Sequence, residues 1–481
     1  MFFDIKVDNK SPVYIQIKDY IKNMILRGML AGGEKLPSTR EMSSRLKVSR
    51  NTVIYAYDFL RDEGLIYMKK GKGAFVADVK VDFQEKWDVD WEKRVSLYGK
   101  ECKDLDIIKS EIKWEKGMIS FKSIAPDDRL FDVENFKKAF LNCISRESGK
   151  ILNYGYAKGY RPLIQYLMKY MENKGIDISS KDILITNGFT EGFDIILSCL
   201  MNEGDSIICE NPTHNTAIKI MKLHKLNIEG IKMEKDGIDI SDLEGKLRKN
   251  NFKLAYIIPS YHNPTGIVMS PYKRTKIYNI FKEYNVPIIE DGFNEELRYL
   301  SDHVSPIAAL AGKGNSVIYI GSFSKILFPG LRIGWILADK ELIDHLESAK
   351  RSRNIHTSFL DQAVFYDYLS EGNFEKYLKK ARRFYKDKYE LAIGLVKKYI
   401  PFAKVYGEGG LHIFVQIKGV NSRKLLKRCC ERNVIFTPGD LFYVDGSGED
   451  TFRLGFSRTE DEDIEKGFKI IGEEAKKLMT I

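Results

Sequence analysis

The sequence has no uninterrupted apolar run that could cross a membrane. Such a span needs about 20 consecutive, mostly apolar residues, and charged residues interrupt every apolar stretch of this 481-residue chain well before that length. Charge at Asp4 and Lys6 also leaves no room for the apolar core of a secretory signal. We therefore expect a cytoplasmic protein without a membrane partner.

Cysteine is scarce as well, with six residues in the whole chain. These cysteines form no C-x-x-C pair and show no spacing typical of metal ligands, and their low density excludes a disulfide-stabilised secreted domain. We expect no metal site and interpret all six as core or incidental thiols: Cys102, Cys143, Cys199, Cys209, Cys429 and Cys430.

The composition that remains is that of a folded protein, with 43% apolar and 30% charged residues. At this length two or three packed units are expected. The net charge of +10 is unevenly spread, since residues 1–80 hold 15 Lys and Arg against 9 Asp and Glu. Such a segment suits contact with nucleic-acid phosphates, although a solvated basic face would give the same balance.

The N-terminal part shows the pattern of three helices. Apolar residues recur at helical spacing over residues 13–30. Ser38 and Glu41 form a capping box that opens a short second helix, and Ser49 can cap a third helix that ends near residue 63. Two short helices joined by a tight turn indicate a helix-turn-helix.

The third helix and the segment after it complete a small domain. One face of this helix is apolar, and Asn51 and Tyr55 point away from that face. Two short strands then flank a basic hairpin tip with Lys70 and Lys72. The pattern predicts an α+β winged helix-turn-helix domain over residues 1–78.

The rest of the chain divides by its patterning. Residues 79–116 carry dense charge of both signs and three of the four tryptophans, so we interpret them as a linker with helical or packed parts. Residues 117–481 predict an α/β domain with a mostly parallel sheet, a large part over about 155–370 and a smaller α+β part over about 375–481. Its predicted strands include residues 183–185, 207–209, 255–258, 287–289, 317–320, 335–337, 411–417 and 451–456.

The strongest chemical signal is the motif Gly-Ser-Phe-Ser-Lys at residues 321–325, followed by Arg332 in a glycine-containing loop. A lysine that follows a strand, flanked by hydroxyls and followed by an arginine seven residues later, suits a Schiff-base amine beside an anchored phosphate. By itself a Ser-x-Ser-Lys motif is weak evidence, because it is short.

Three N-terminal motifs resemble the winged helix-turn-helix of the GntR family. They are Leu-Pro-Ser-Thr-Arg-Glu at 36–41, Val-Ser-Arg-Asn-Thr-Val at 48–53 and Gly-Lys-Gly-Ala-Phe-Val at 71–76. The resemblance implies a recognition helix in the major groove and a wing on the backbone or minor groove. A protein-interaction module is the alternative. The implied DNA-contacting residues are Ser38, Arg40, Ser49, Arg50, Asn51, Thr52, Tyr55, Lys70 and Lys72.

From about residue 121 onward, ordered motifs resemble fold-type I enzymes that use pyridoxal 5'-phosphate (PLP). The resemblance is to the aminotransferase domain of MocR/GabR-type regulators and to 2-aminoadipate aminotransferase-like proteins. It implies that Lys325 forms the internal aldimine with PLP. It also implies that Asp291 pairs with the pyridine nitrogen and that Asn263 hydrogen-bonds the phenolic oxygen.

The same resemblance assigns the other contacts of the cofactor and its ligand. His214 would stack on the ring, and Arg453 would clamp a substrate or effector carboxylate. Tyr154 would reach the phosphate of a neighbouring subunit, which implies a homodimer. Asp291 as a strand-end cap and Arg453 as the partner of a structural carboxylate remain alternatives. Phosphate contacts are implied for Ser322, Ser324, Arg332, Gly188, Phe189 and Thr190, the last three at a helix N-terminus.

Three positions depart from the family pattern. Phe293 replaces a tyrosine whose hydroxyl supports the phenolic oxygen, so we expect greater dependence on Asn263 and weaker transamination. His214 replaces an aromatic ring, covers less area and can titrate near neutral pH. Thr216 stands where some regulators that respond to γ-aminobutyrate have an arginine, so that ligand is not transferred.

The function that the resemblances imply is that of a PLP-dependent, DNA-binding transcription regulator. Its aminotransferase-like domain would sense an amine, an amino acid or PLP through Lys325. An active aminotransferase that carries a DNA-binding domain is the main alternative, and a cofactor-free dimerisation scaffold is another. The implied partners are a double-stranded DNA operator, a small amine or amino acid effector and a second copy of the chain. Catalytic turnover is left open.

Overall fold

The structure of the protein is a computed structural model that describes residues 5, 8, 11–79, 88–300 and 303–479. The chain forms two compact units, Met1–Val95 and Ser96–Ile481. In the described ranges, no helix combines the length and apolarity that a bilayer-spanning segment requires.

The first unit is built around three helices and a hairpin. The helices are α1 (Val13–Leu26), α2 (Thr39–Leu46) and α3 (Arg50–Asp62), and the strands are β1 (Ile66–Lys69) and β2 (Gly73–Val76). The strands pair antiparallel, with Ile66 opposite Val76. The winged helix-turn-helix prediction is confirmed.

Local sequence signals explain these elements. α1 ends at Leu26 rather than near residue 30, because Gly28 adopts a φ of 69°, which a right-handed helix cannot continue. The predicted apolar face of α3 is buried and packs against α1 and α2. The buried residues of this face are Val53, Ala56, Tyr57 and Leu60.

Short helices lie in the predicted linker, as expected for parts of it. They are α4 (Trp91–Arg94), α5 (Leu97–Asp104) and α6 (Ile107–Ser110). Residues 80–87 of the linker, with Trp87, lie outside the described residues. The limits 1–78, 79–116 and 117–481 stay predictions, but residues 96–116 belong to the second compact unit.

The second unit is an α/β domain. After the helices of the linker, its next helices are α7 (Val133–Glu147), α8 (Arg161–Asn173), α9 (Phe189–Leu200), α10 (Asn215–Leu223), α11 (Ile240–Leu247), α12 (Pro271–Glu283) and the short α13 (Ile307–Leu310). They continue with α14 (Lys340–Arg351), α15 (Phe359–Ser370), α16 (Asn373–Tyr399), α17 (Ser422–Cys430) and α18 (Asp461–Met479).

Its strands alternate with these helices. The first are β3 (Ile119–Ser120), β4 (Lys181–Thr186), β5 (Ser206–Asn211), β6 (Asn227–Glu234), β7 (Gly237–Ile238), β8 (Leu254–Ile257) and β9 (Ile288–Asp291). The later ones are β10 (Val317–Ser322), β11 (Gly334–Asp339), β12 (Lys404–Tyr406), β13 (His412–Gln416), β14 (Val434–Ile435), β15 (Thr437–Pro438) and β16 (Thr451–Gly455).

The central sheet has the order β4-β11-β10-β9-β8-β5-β6-β7. The neighbours from β10 through β6 run parallel, whereas β11 is antiparallel to both β10 and β4. The mostly parallel sheet is therefore confirmed. In sheets of this kind ligands bind outside the carboxyl ends of the strands, and the predicted cofactor motifs follow β4, β5, β8, β9 and β10 at that edge.

A smaller sheet follows, with the order β12-β13-β16-β15. Helices α16, α17 and α18 contribute to the apolar core beneath it. The short strand β3, which follows the predicted linker, pairs in parallel with β14. The start of the α/β domain is thus bound to its C-terminal part, although the predicted parts 155–370 and 375–481 do not include it.

Candidate functional site

The predicted DNA-contacting residues of the first unit lie mostly on its surface. Thr52 is half-buried and the others are exposed: Ser38, Arg40, Ser49, Arg50, Asn51, Tyr55, Lys70 and Lys72. They come from the N-terminal turns of α2 and α3, from the exposed face of α3 and from the hairpin tip. Their contact with DNA stays a prediction.

Two of the predicted hydroxyls act as helix caps. Ser38 Oγ accepts a hydrogen bond from the Glu41 N–H at 3.2 Å, and Ser49 Oγ accepts one from the Thr52 N–H at 3.1 Å. These caps fix the N-terminal turns that carry the arginines. Arg50 Nε donates to Thr39 Oγ1 at 3.2 Å.

The two arginines of these turns keep their charge available. Within the part of the chain that the structure describes, neither Arg40 nor Arg50 has a carboxylate within ion-pair distance. Because both side chains are exposed and lack an acidic partner there, they can meet phosphates or base edges.

At the carboxyl edge of the central sheet lies a cavity of about 190 Å³. It is lined by eight of the predicted cofactor residues: Phe189, Thr190, His214, Asp291, Ser322, Ser324, Lys325 and Arg332. Thr216 and Phe293, two of the three positions that depart from the family pattern, also line the cavity. The structure thus brings together residues from the ends of four strands.

One end of the cavity is a cradle for an anion. Arg332 Nη1 donates to Ser324 Oγ at 3.0 Å, and Arg332 Nη2 donates to the Asn187 carbonyl at 3.1 Å. Gly188 is the N-cap of α9, with a φ of 80°. A Cβ at Gly188 would lie 2.7 Å from the Arg332 guanidinium, so glycine permits this close approach. A guanidinium, hydroxyls and a helix N-terminus together suit a phosphate.

Lys325 supplies an amine to the same cavity, three residues after β10 ends. Burial, together with the charges of Arg453 and Arg332, lowers the pKa of Lys325 to about 8. A larger fraction of the amine is therefore neutral near pH 7 than for an ordinary lysine. A neutral amine is the form that attacks an aldehyde.

This shift gives a pH-dependent prediction for cofactor loading. The rate at which apoprotein takes up PLP should rise with pH and level off above about 8, since roughly one Lys325 in ten is neutral at pH 7 with this pKa. Stopped-flow absorbance between pH 6 and 10 measures the rate. A rate that keeps rising to pH 10 would contradict the lowered pKa.

Asp291 ends β9 and is buried. Burial, with the charges of Glu210 and Glu290, raises the pKa of Asp291 to about 7 against the opposing effect of the hydrogen bond from Tyr256. Tyr256 Oη donates to Asp291 Oδ2 at 2.8 Å. A carboxyl group with this balance ionises readily when a cation comes beside it, as a protonated pyridine would.

His214 corrects one expectation. Its ring lies 5.2 Å from the ring of Phe189, between centroids. Burial lowers the pKa of His214 to about 3, and the charges of Lys325 and Arg453 contribute. The expected titration near neutral pH is wrong, because a desolvated imidazole beside two cations stays neutral. A neutral ring suits stacking on a pyridine.

Asn263 and Arg453 lie beside the cavity and contact each other. Arg453 Nη1 donates to Asn263 Oδ1 at 2.7 Å. The carbonyl of Asn263 is therefore occupied, and its NH₂ group is the part left to donate to a phenolic oxygen. The Arg453 guanidinium also lies 4.8 Å above the ring of Phe442.

Tyr154, a predicted cofactor contact, lies away from the cavity of its own subunit. Its side chain is 79% exposed and its ring contacts that of His356, so it does not line the cavity of its own subunit. A role at the phosphate of a neighbouring subunit stays a prediction.

Sequence reasoning missed Tyr256, Phe442 and Glu210. Tyr256 lies within the wholly buried strand β8, where an apolar ring alone would serve packing equally well. Glu210 accepts hydrogen bonds from the Ile258 N–H at 3.1 and 3.0 Å and is fully buried. No local signal distinguishes these roles, because each partner comes from a different strand or loop.

The residues present fit PLP. The anion cradle suits its phosphate, Asp291 its ring nitrogen, His214 its ring face and Lys325 its aldehyde. Asn263 retains donors for the phenolic oxygen, and Phe293 offers none. Each functional group of the cofactor except the methyl thus has a partner of the required chemistry.

Comparison with known proteins gives a family for both units. Residues 118–471 match the family model of aminotransferase class I and II, and residues 13–76 match that of bacterial regulatory proteins of the gntR family. Nearly the whole chain is similar to the uncharacterized HTH-type transcriptional regulator YisV of Bacillus subtilis strain 168, with 28% identity over 97% of each chain.

The second unit is also similar to proteins that are named as aminotransferases. The chain is 31% identical to aromatic-amino-acid aminotransferase 1 of Thermococcus litoralis, over 75% of this chain and 89% of that protein. Its fold matches LysN, the alpha-aminoadipate aminotransferase of Thermus thermophilus solved with N-(5'-phosphopyridoxyl)-L-leucine. The TM-score is 0.74 at 28% identity, over 82% of this chain and 100% of LysN.

The family assignment and the chemistry of the cavity agree on PLP as the cofactor. The resemblances to GntR-type regulators and to fold-type I aminotransferases are confirmed, and so is the fusion of the two. The chain belongs to the aminotransferase class I and II family and carries a gntR-family DNA-binding domain at its N-terminus, as MocR/GabR-type regulators do.

Proposed function

We propose that the protein is a cytoplasmic transcription regulator in which an amine or amino acid, bound at the PLP site, changes the binding of a DNA operator. One observation carries the proposal: an exposed, capped recognition helix and a complete lysine-centred cavity occur in the same chain. The regulator relatives that match along almost the whole length support it.

The residues of the cavity have separable tasks. PLP, when bound, supplies an aldehyde that combines with amines and a ring that withdraws electrons. The Lys325 amine would hold the aldehyde end of the cofactor, and Asp291 would keep a proton at the ring nitrogen. Arg332 and Ser324 would hold the phosphate, which would anchor the cofactor independently of its aldehyde end.

The test combines two measurements on one sample. The PLP-loaded full-length protein is titrated with a panel of amino acids and amines, while its visible absorbance and its binding to a duplex are both recorded. The duplex is one that the wild-type protein selects from a random-sequence library. A ligand that shifts the absorbance lastingly and changes duplex affinity supports the proposal. If every ligand that shifts the absorbance leaves duplex affinity unchanged, the proposal is wrong.

A second candidate is a working aminotransferase that carries a DNA-binding domain. The observation that favours it is the complete set of Lys325, Asp291, Asn263 and Arg453 in and beside the cavity. Rapid conversion of PLP to pyridoxamine phosphate by an amino acid, reversed by a 2-oxo acid over many cycles, would establish it. A single conversion without cycling would favour the regulator.

A homodimer is part of the proposal. Tyr154 is exposed beyond its own cavity, which suits contact with a second copy. Two copies would present two recognition helices to a repeated half-site. Sedimentation of the PLP-loaded protein tests this, and a monomer at micromolar concentration would contradict it.

Arg50 gives a direct prediction for DNA recognition. Arg50→Ala should weaken binding to the selected duplex by about 1–3 kcal/mol, because an exposed arginine in the first turn of α3 is positioned to read a base. The matched control is Arg61→Ala near the other end of the same helix, where Arg61 pairs with Asp58 at 3.0 Å. Fluorescence anisotropy measures both. Equal affinities of the Arg50→Ala and wild-type proteins would remove Arg50 from the interface.

A further inference from the structure

The carboxylate of Glu191 holds the turn between β4 and α9. Its Oε2 accepts a hydrogen bond from the Asn187 backbone N–H at 2.6 Å, and its Oε1 accepts one from Asn187 Nδ2 at 3.0 Å. Asn354 Nδ2 also donates to Oε1. Among the described residues that line the cavity with Lys325, Glu191 is absent. Any effect of Glu191 on a ligand in that cavity therefore passes through the residues that it holds.

Asn187 is the link between Glu191 and the anion cradle. The Asn187 carbonyl accepts from Arg332 Nη2 at 3.1 Å, so one residue is bound to the carboxylate through its N–H and to the guanidinium through its carbonyl. The next residue, Gly188, is fixed from the other side, because Thr186 Oγ1 donates to its carbonyl at 3.0 Å. A rotation of the Asn187 peptide would therefore displace the guanidinium.

The pattern of bonds differs from that of a capping box. In a capping box the carboxylate at the third helical position accepts from the N–H of the N-cap residue. Glu191 is the third residue after the N-cap Gly188, but it accepts from the residue before the cap. Within the described part of the chain, the N–H groups of residues 188–190 donate to no protein oxygen. These donors are thus left available to an anion at the start of α9.

Lys350 supplies a positive charge near this carboxylate. Its Nζ is buried and donates to the Ala157 and Ile185 carbonyls, each at 2.7 Å. Burial lowers the pKa of Lys350 to about 8 against the opposing effect of the charges of Glu191 and Glu347. The attraction between Lys350 and Glu191 limits the repulsion that a carboxylate would otherwise exert on an anion in the cradle.

From these contacts we infer that Glu191 is a positioning residue for the phosphate of PLP. It acts by holding Asn187, which keeps the Arg332 guanidinium in place and leaves the N–H groups of residues 188–190 for the phosphate oxygens. The inference rests on PLP as the cofactor and does not depend on regulation of DNA binding.

The test compares PLP with pyridoxal, which has the same aldehyde and ring but no phosphate. Each is titrated into full-length apoprotein, and the visible absorbance of the lysine-bound aldehyde gives both affinities. Glu191→Ala should weaken the binding of PLP about tenfold, because several hydrogen bonds to one charged group lose their alignment. The affinity for pyridoxal should stay at the wild-type value, so the ratio of the two affinities falls.

Two further variants separate positioning from packing. Glu341→Ala removes an exposed acid from the first turn of α14 and should keep both wild-type affinities. Asn354→Ala removes the third contact of the Glu191 carboxylate and leaves both contacts with Asn187, so it should keep the preference for PLP. The same fall of the ratio in Asn354→Ala would assign the effect to packing and overturn the inference.

The ratio of affinities decides the other outcomes. An unchanged ratio in Glu191→Ala, or an equal loss of PLP and pyridoxal binding, would overturn the inference. If Glu191→Ala does not fold, Glu191→Gln takes its place, since it keeps the size but offers one carbonyl oxygen to the two donors of Asn187. Its ratio should fall about threefold, and a wild-type ratio would again overturn the inference. Failure of the proposed function would leave every ratio unaffected, because the titrations contain no DNA.

Discussion

The Lys325→Ala protein is expected to show no visible absorption from covalently held PLP. In the described residues Lys325 is the one lysine that lines the cavity, so no other amine there can replace it. Borohydride reduction followed by mass spectrometry measures the loss. Wild-type protein should gain one phosphopyridoxyl group, and the variant should gain none. PLP held by the anion cradle alone remains exchangeable by dialysis.

The control for this variant is Lys340→Ala, which removes an exposed lysine at the start of α14. It should be labelled like wild-type protein. The Lys325→Ala protein should still bind the selected duplex in the absence of ligand, since the recognition helix belongs to the other compact unit. Labelling of the variant at another lysine, or loss of its folded circular-dichroism spectrum, would contradict the role assigned to Lys325.

Asp291→Asn should weaken PLP binding by about 2–5 kcal/mol, which is about thirtyfold or more in affinity. The substitution keeps the size of the side chain and an oxygen that can accept from Tyr256, but it removes the charge that pairs with a protonated ring nitrogen. The pKa of Asp291, raised to about 7 by burial, makes this carboxylate costly to ionise unless such a cation is present. Equilibrium dialysis of PLP against apoprotein measures the change.

Asp344→Asn is the matched control, because the Asp344 side chain is 75% exposed. It should bind PLP with wild-type affinity. Wild-type affinity in Asp291→Asn would exclude the ion pair with the ring and would leave Asp291 as a strand-end group. A separate measurement of thermal unfolding distinguishes lost cofactor binding from lost stability.

Elements with local signals were predictable from the sequence. The caps at Ser38 and Ser49 are contacts between residues three apart, and both form as expected. The β-branched runs of the central strands also form where predicted, because each is short, apolar and buried. Strand β6 was missed since its sequence combines charged residues with a glycine and its burial is only partial, near the end of the sheet.

The site was predictable as a set of residues but not as a geometry. Tyr256 and Asp291 are 35 residues apart, and Asn263 and Arg453 are 190 apart, so only the folded sheet brings them into contact. The state of His214 depends on burial and on two cations from distant segments, which no local pattern encodes. The family resemblance implied roles for Asp291, Asn263, Arg453 and His214. The protonation state of His214 and the hydrogen-bond partners of the others follow only from the folded structure.

The hydrogen bond between Arg453 and Asn263 has an optical consequence. If Arg453 binds a carboxylate, as the family resemblance implies, that carboxylate would draw hydrogen-bonding strength away from the Asn263 carbonyl, and the amide nitrogen of the same side chain is the donor that would be available to the phenolic oxygen of the cofactor. The electron density of the chromophore would then depend on whether the neighbouring guanidinium is occupied. We therefore expect the colour of bound PLP to change when an acid binds, even an acid that never reacts with it.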